Sequence, residues 1–224
     1  IFLFKIDKKS LFEIDNLSFK NLIFKSINEE NSCFFRNIKT INFYCENNNI
    51  QINSIINQIN DIILKQNLVK IERVSLNIDL SKISKEKDLI RISDLKVKNI
   101  SLNYNNKNRE PNMNYLTKWT HLEELEFKKI RKLKENQLLF SNFSNLKKLT
   151  LTQINMDKIT SNTFKGLFSL ENLDLSYNQI QSIEENSFID LINLRSLNLS
   201  NNTQIKELKQ KSIFTGLQNL NKLN

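Results

Sequence analysis

The sequence predicts an α/β solenoid with a curved parallel sheet on its concave face and mixed helix and loop on its convex face. Three observations predict it. "LENLDLSYN" at 170–178 returns as "LRSLNLSNN" at 194–202, and 194 − 170 = 24 residues. The same apolar frame continues upstream at that interval, since Leu170, Leu173 and Leu175 follow Leu146, Leu149 and Leu151, which follow Leu122, Leu125 and Phe127. The second half of each unit repeats as well, as Phe140 and Phe143, Phe164 and Leu167, then Phe188 and Leu191. Apolar positions that agree in phase over consecutive units are the signature of stacked coils.

Each part of the unit has a physical reason. The Leu-x-Leu core reads as a short strand whose alternate side chains point to opposite faces. Its leucines enter the coil, and the residues between them face solvent on the concave side. One coil cannot bury its own apolar edge, so coils stack, and each buried Leu, Ile or Phe contributes roughly 1.5–3 kcal/mol. Asn178 and Asn202 follow the strand, where a buried amide satisfies backbone groups left unpaired by the bend. Ile130 and Ile154 hold the equivalent position in the two earlier units. An Ile cannot make those bonds, so less regular turns are expected there.

The unit L-x-x-L-x-L-x-x-N-x-I-x-x-I-x-x-x-x-F-x-x-L-x-x, matched throughout by residues 170–193, resembles the typical 24-residue leucine-rich repeat. That subtype is common in Toll-like receptor ectodomains, Slit-like ligands and adhesion proteins. The close match covers 122–224, with a two-residue insertion near 203–211 before Phe214 and Leu217, and Leu220 and Leu223 opening one more unit. Upstream, Ile14, Leu17 and Phe19 fit the frame, then Ile38, Ile41 and Phe43, Ile71, Val74 and Leu76, and Ile92, Leu95 and Val97. Continuity with the regular half argues for a single solenoid over 1–224, irregular over 1–121, rather than a separate N-terminal domain.

Two long units are read as carrying insertions. Residues 50–67 place Ile52, Ile55, Ile56, Ile59, Ile62 and Ile63 at helical spacing, which predicts a convex-side helix packed on the sheet. Residues 103–115 are polar, contain Pro111, and are expected to form an exposed loop. "IFLFKI" at the start is open between a first strand and the tail of a signal peptide. The sequence stops inside the strand of a new unit, where a solenoid needs a cap, so a fragment is expected.

Composition narrows the function. Lys+Arg 33 against Asp+Glu 24 gives a net charge of +9, a balance often met in nucleic-acid or membrane binders. The concave positions nevertheless alternate in sign, with Glu124 and Glu126, then Lys147 and Lys148, then Glu171 and Asp174, then Arg195. A nucleic-acid groove keeps one sign, so no nucleic acid is expected. No apolar run approaches the roughly 20 residues of a membrane span. Cys33 and Cys45 flank the expected strand at 38–43, which would hold them some 20 Å apart, too far for a disulfide. The Cys-rich flanking caps of secreted relatives of this type are absent from the sequence. His121 beside Trp119 reads as a surface residue, Glu123, Glu124 and Glu126 as a solvated face, and only Gly166 and Gly216 are available to any phosphate loop. No catalytic residue, metal ligand or cofactor is expected.

The resemblance therefore implies recognition rather than catalysis. Its geometry places Glu124, Glu126, Lys148, Thr150, Asn172, Asp174, Tyr177, Ser196 and Asn198 on the concave face as candidate ligand contacts. Tyr177 is the foremost, because aromatic anchors dominate binding hot spots. Asn16, Asn99, Asn142, Asn198 and Asn201 begin N-x-Ser/Thr sequons and are candidate glycosylation sites. The expected partner is a protein ligand or co-receptor, at an extracellular or cell-surface location. Membrane attachment would come only through a segment outside this stretch, and dimerisation is open. The alternative is an intracellular leucine-rich repeat scaffold or adaptor.

Overall fold

The computed structural model describes residues 16–20, 40–45, 73–79, 98–103, 119–130, 140–205 and 211–224. Residues 50–67 and 104–115, Cys33 and the first residues of the chain lie outside them, so the expectations placed there are not addressed. The described chain forms β1 (Asn16–Lys20), β2 (Thr40–Cys45), β3 (Arg73–Asp79), β4 (Asn99–Asn103), β5 (Glu124–Lys128) and β6 (Lys148–Thr152). Then follow β7 (Lys158–Ile159), β8 (Asn172–Asp174), β9 (Ser182–Ile183), β10 (Ser196–Asn198), a 3-10 turn at Lys211–Phe214, and β11 (Lys222–Leu223). Nine strands make one all-parallel sheet in the order β1-β2-β3-β4-β5-β6-β8-β10-β11, and β7 and β9 make a second, two-stranded sheet. Sequential order with parallel pairing means that every coil turns the same way and lies on the one before it.

The register exposes a more regular repeat than the sequence does. Phe19 pairs with Phe43, Phe43 with Leu76, Leu76 with Ile100, and Ile100 with Leu125. The column continues through Leu149, Leu173, Leu197 and Leu223. Its intervals are 43 − 19 = 24, 76 − 43 = 33, 100 − 76 = 24 and 125 − 100 = 25, then 24, 24, 24 and 26. Irregularity is therefore concentrated between β2 and β3, the interval that contains 50–67. The step from β4 to β5 is one residue longer than the 24-residue interval.

Two frame assignments are corrected. The strand expected at Leu95 and Val97 lies five residues later, at Ile100 and Leu102, which are 2% and 0% exposed. An odd slip inverts which residues face inward. In β1, β2 and β3 the frame moves by two, because Phe19, Phe43 and Leu76 share a column with Leu125 rather than Phe127. An even slip leaves the predicted alternation in phase. Cys45 ends β2 in register with Ile78, so it belongs to the strand itself rather than to its flank.

In the regular half the core is what the pattern predicts. Leu122, Leu146, Leu170 and Leu194 are fully buried, as are Phe127, Leu151 and Leu175. On the return of each coil Phe140, Phe164 and Phe188 stack, with ring centroids 6.4 and 5.8 Å apart and planes within 12° and 15°. Offset stacks of this kind add roughly 0.5–1.5 kcal/mol beyond area burial. In the last coil Ile213 is buried and Phe214 only half-buried, so Ile213 takes the inner place expected of Phe214.

Asparagines close the turns. Asn178 Nδ2 donates to the carbonyls of Leu151 at 2.6 Å and Leu175 at 2.8 Å, and its Oδ1 accepts from Ile154 N at 3.0 Å. Asn202 repeats this on Leu175 at 3.0 Å, Leu199 at 2.8 Å and Ile180 N at 3.2 Å. Each amide ties its own coil to the preceding one. The residue before this position is left-handed in all four coils, with φ of 58° at Lys129, 55° at Gln153, 58° at Tyr177 and 60° at Asn201. The residues before Ile130 and Ile154 thus share the φ found before Asn178 and Asn202. The Ile154 turn does differ one residue later, where Asn155 is also left-handed at φ 54°.

Candidate ligand-binding face

Alternation along β5, β6, β8 and β10 turns one set of side chains inward and leaves the other in rows across the sheet. One row runs Glu124, Lys148, Asn172, Ser196, Lys222. The next runs Ser101, Glu126, Thr150, Asp174, Asn198. Between them lies a depression of about 720 Å³. It gathers eight of the nine residues expected from sequence: Glu126, Lys148, Thr150, Asn172, Asp174, Tyr177, Ser196 and Asn198. Glu124 stands in the same sheet row but does not line the depression. Lys128, Thr152, Gln153, Ser176, Lys222 and Asn224 line it too and were not singled out from sequence. The repeat frame was signal enough for Lys222, which takes the place of Ser196 one coil on.

The expected contacts are not equally available. Thr150 is only 7% exposed. Its short side chain sits in the row between Glu126 and Asp174, so it forms the floor of the groove instead of a presented contact. Asp174 Oδ1 accepts from Ser176 N at 2.9 Å and from Asn198 Nδ2 at 3.2 Å. Asn198 Oδ1 in turn accepts from Ser200 N at 3.1 Å. These two residues thus close Asx turns at the strand ends as well as lining the groove. Glu126 accepts from Ser101 Oγ at 2.6 Å and pairs with Lys128 at 2.7 Å. Tyr177, by contrast, is 59% exposed, and its strained αL backbone projects the ring at the groove margin.

Charge alternation is built into the edge of this face. Lys98, Glu123, Lys147, Glu171 and Arg195 follow one another, each N–H after the first bonding the previous residue's carbonyl at 2.8 Å. Glu123 pairs with Lys98 at 2.7 Å and with Lys147 at 3.5 Å, and Arg195 approaches Glu171 at 3.9 Å. The hydrogen bond from Lys98, reinforced by Lys147, holds the Glu123 carboxyl below the usual carboxylate range against partial burial.

The sequons divide by element. Asn16, Asn99 and Asn198 lie in strands, and the Asn198 amide nitrogen is engaged by Asp174. Asn142 and Asn201 lie exposed in turns. His121, read from sequence as a surface or cap residue, is half-buried and lies two residues after the buried Trp119. Among the described residues no group of three His, Cys, Asp or Glu could hold a metal ion. No described helix is long and apolar enough to cross a membrane.

Comparison with known proteins agrees with this architecture. Residues 144–205 match the family model described as leucine rich repeat. Among solved structures, the TLR13–ssRNA13 complex is similar over 96% of this chain and 26% of that chain, at 19% identity and a TM-score of 0.52. The Drosophila Toll–Spatzle complex is similar over 93% of this chain and 30% of that one, at 16% identity and a TM-score of 0.51. The chain thus spans under a third of the length of either. No curated protein matches it by sequence. With its repeat frame, stacked parallel coils and asparagine-closed turns, the chain is a leucine-rich repeat protein.

Proposed function

We propose that this solenoid recognises a protein ligand or co-receptor through its concave groove, as part of the ectodomain of a receptor, adhesion or secreted protein. The observation that carries the reading is the groove itself. It presents an exposed Tyr177 beside Asn172, Ser196 and Asn198, a pairing of rigid aromatic with adaptable amide and hydroxyl groups that suits protein surfaces. The likeness to Toll–Spatzle, a receptor with a protein ligand, supports the same reading. Signs alternate along the margin, which favours a ligand of mixed charge over a polyanion. The expectation that nucleic acid is no partner gains no support from the fold, because one similar structure is a complex with ssRNA. RNA is therefore an outcome of the test. Asn142 and Asn201 are the sequons this reading assigns to glycans.

The test uses a dimeric tagged form of the chain to stain cells and to capture secreted protein or RNA, compared with Asn172→Arg/Ser196→Arg. Both changes fill the groove without touching the core. Protein binding lost in the variant supports the proposal. Binding unchanged by the variant, or binding only of RNA, refutes it.

A further inference from the structure

We propose that the groove takes an extended acidic segment of its protein partner, laid across the strands, with two carboxylates four residues apart seated on Lys148 and Lys222. The inference rests on the concave-face reading and deepens it.

The register sets the spacing. Lys148 lies beside Asn172, Asn172 beside Ser196, and Ser196 beside Lys222, so three strand intervals separate the two lysines. At about 4.8 Å per interval that is about 14 Å. An extended chain rises about 3.4 Å per residue, so residues i and i+4 lie about 13.6 Å apart and on the same face. Asn172 and Ser196 fill the interval with a short amide and a hydroxyl, which suit the backbone and the small residue at i+2.

Charge sets the sign. Lys98, Lys128 and Lys147 are each paired with a carboxylate, whereas Lys148 and Lys222, both exposed, make no ion pair among the described residues. The carboxylates nearest the row are occupied elsewhere in part. Glu126 is held by Ser101 and Lys128, and Asp174 by Ser176 N and Asn198. Glu124 flanks Lys148 on the side away from Asn172. It limits the acidic run at that end, so the segment continues there with a neutral or basic residue. A nucleic-acid strand, charged at every phosphate, would meet Glu124 and Glu126 unfavourably, and an acidic peptide with spaced charges need not.

The experiment is selection of a randomised library of twelve-residue peptides on the purified chain, followed by titration of a synthesised peptide with Asp at i and i+4. The expected result is enrichment of acidic pairs at that spacing over i, i+2 pairs. Lys148→Ser/Lys222→Ser should weaken the peptide roughly tenfold, while Lys165→Ser, a lysine outside the groove, leaves it unchanged. Absence of a spacing preference, or its persistence in the double variant, overturns the proposal. So does oligouridine binding more tightly than any peptide through the same two lysines at the same salt. Binding that depends on Tyr177 but not on the lysines overturns the register while leaving groove recognition standing. Binding indifferent to both overturns the concave-face reading with it.

Discussion

Replacing Asn178 by Ala removes the clamp between two coils without changing the surface. The side chain is 6% exposed and makes three bonds of 3.0 Å or less, to the carbonyls of Leu151 and Leu175 and from the N–H of Ile154. The carbonyl of Leu151 and the N–H of Ile154 lose their side-chain partner, while the Leu175 carbonyl keeps the bond from Asn202 Nδ2 at 3.0 Å. Stranding a buried polar group costs roughly 1–3 kcal/mol, and two such groups would cost about 2–6 kcal/mol with no relaxation. Relaxation and an entering water bring the expected loss to about 2–4 kcal/mol. Urea unfolding followed by circular dichroism and by Trp119 measures it, since Trp119 is the sole tryptophan and is fully buried. Asn178→Ile, which copies the residue at 154, restores volume but not the bonds, and is expected to be nearly as damaging. A loss below about 1 kcal/mol for Asn178→Ala would show that the coils hold without the amide and that it is no clamp.

Other outcomes follow from the turns and ion pairs of the same coils. Gly216→Ala is expected to destabilise more than Gly166→Ala, because a Cβ at 216 meets the Phe188 and Ile189 carbonyl oxygens at 2.5 Å while one at 166 meets Ser141 at 3.2 Å. Both residues are left-handed, at φ +97° and +83°, so each change also costs about 1 kcal/mol or more in backbone strain, readable as lowered urea midpoints. Tyr177→Asn places at φ 58° a residue that tolerates it, as Asn201 does at φ 60°. Its stability should hold or rise by up to about 1 kcal/mol while ligand binding falls, which a paired melt and binding assay separates. Glu123, with its pKa lowered by Lys98 first and Lys147 second, contributes stability above the pKa of the unfolded chain. That contribution is lost as pH falls through the lower folded value. NMR titration should find the Glu123 carboxyl below the ordinary range, and Lys98→Met should return it most of the way.

The regular half was legible because the inner leucines, the second-half Phe and the interval recur together there, joined by the turn Asn at 178 and 202. In β4 only the leucine-type signal is present, and it occurs twice. Leu95 and Val97 satisfy the spacing as well as Ile100 and Leu102 do. Only lateral pairing decides between them, through Glu123 N and Glu124 N on Lys98 O at 2.8 and 3.0 Å. The left-handed residue before the turn was hidden for another reason. Lys129, Gln153 and Tyr177 are poor αL formers, and only Asn201 bears a residue that advertises the conformation. On the concave face, alternation places side chains on the right side of the sheet but says nothing of their length. Thr150 is covered for that reason, between longer neighbours in adjacent strands. The Asx turns at Asp174 and Asn198 were equally unreadable as such, since an acid or amide between two leucines looks the same whether it meets a ligand or its own backbone.

The claim that recognition belongs to the concave groove is tested most directly by position-specific crosslinking. A photoreactive residue is placed at Tyr177, on the groove margin, or at Glu185, which is exposed and does not line the groove. The chain is then displayed on cells and irradiated in the presence of its neighbours. The expected result is a discrete protein adduct from position 177 that is absent from position 185 and is lost with Asn172→Arg/Ser196→Arg. Adducts from 185 alone, or equally from both, would contradict it.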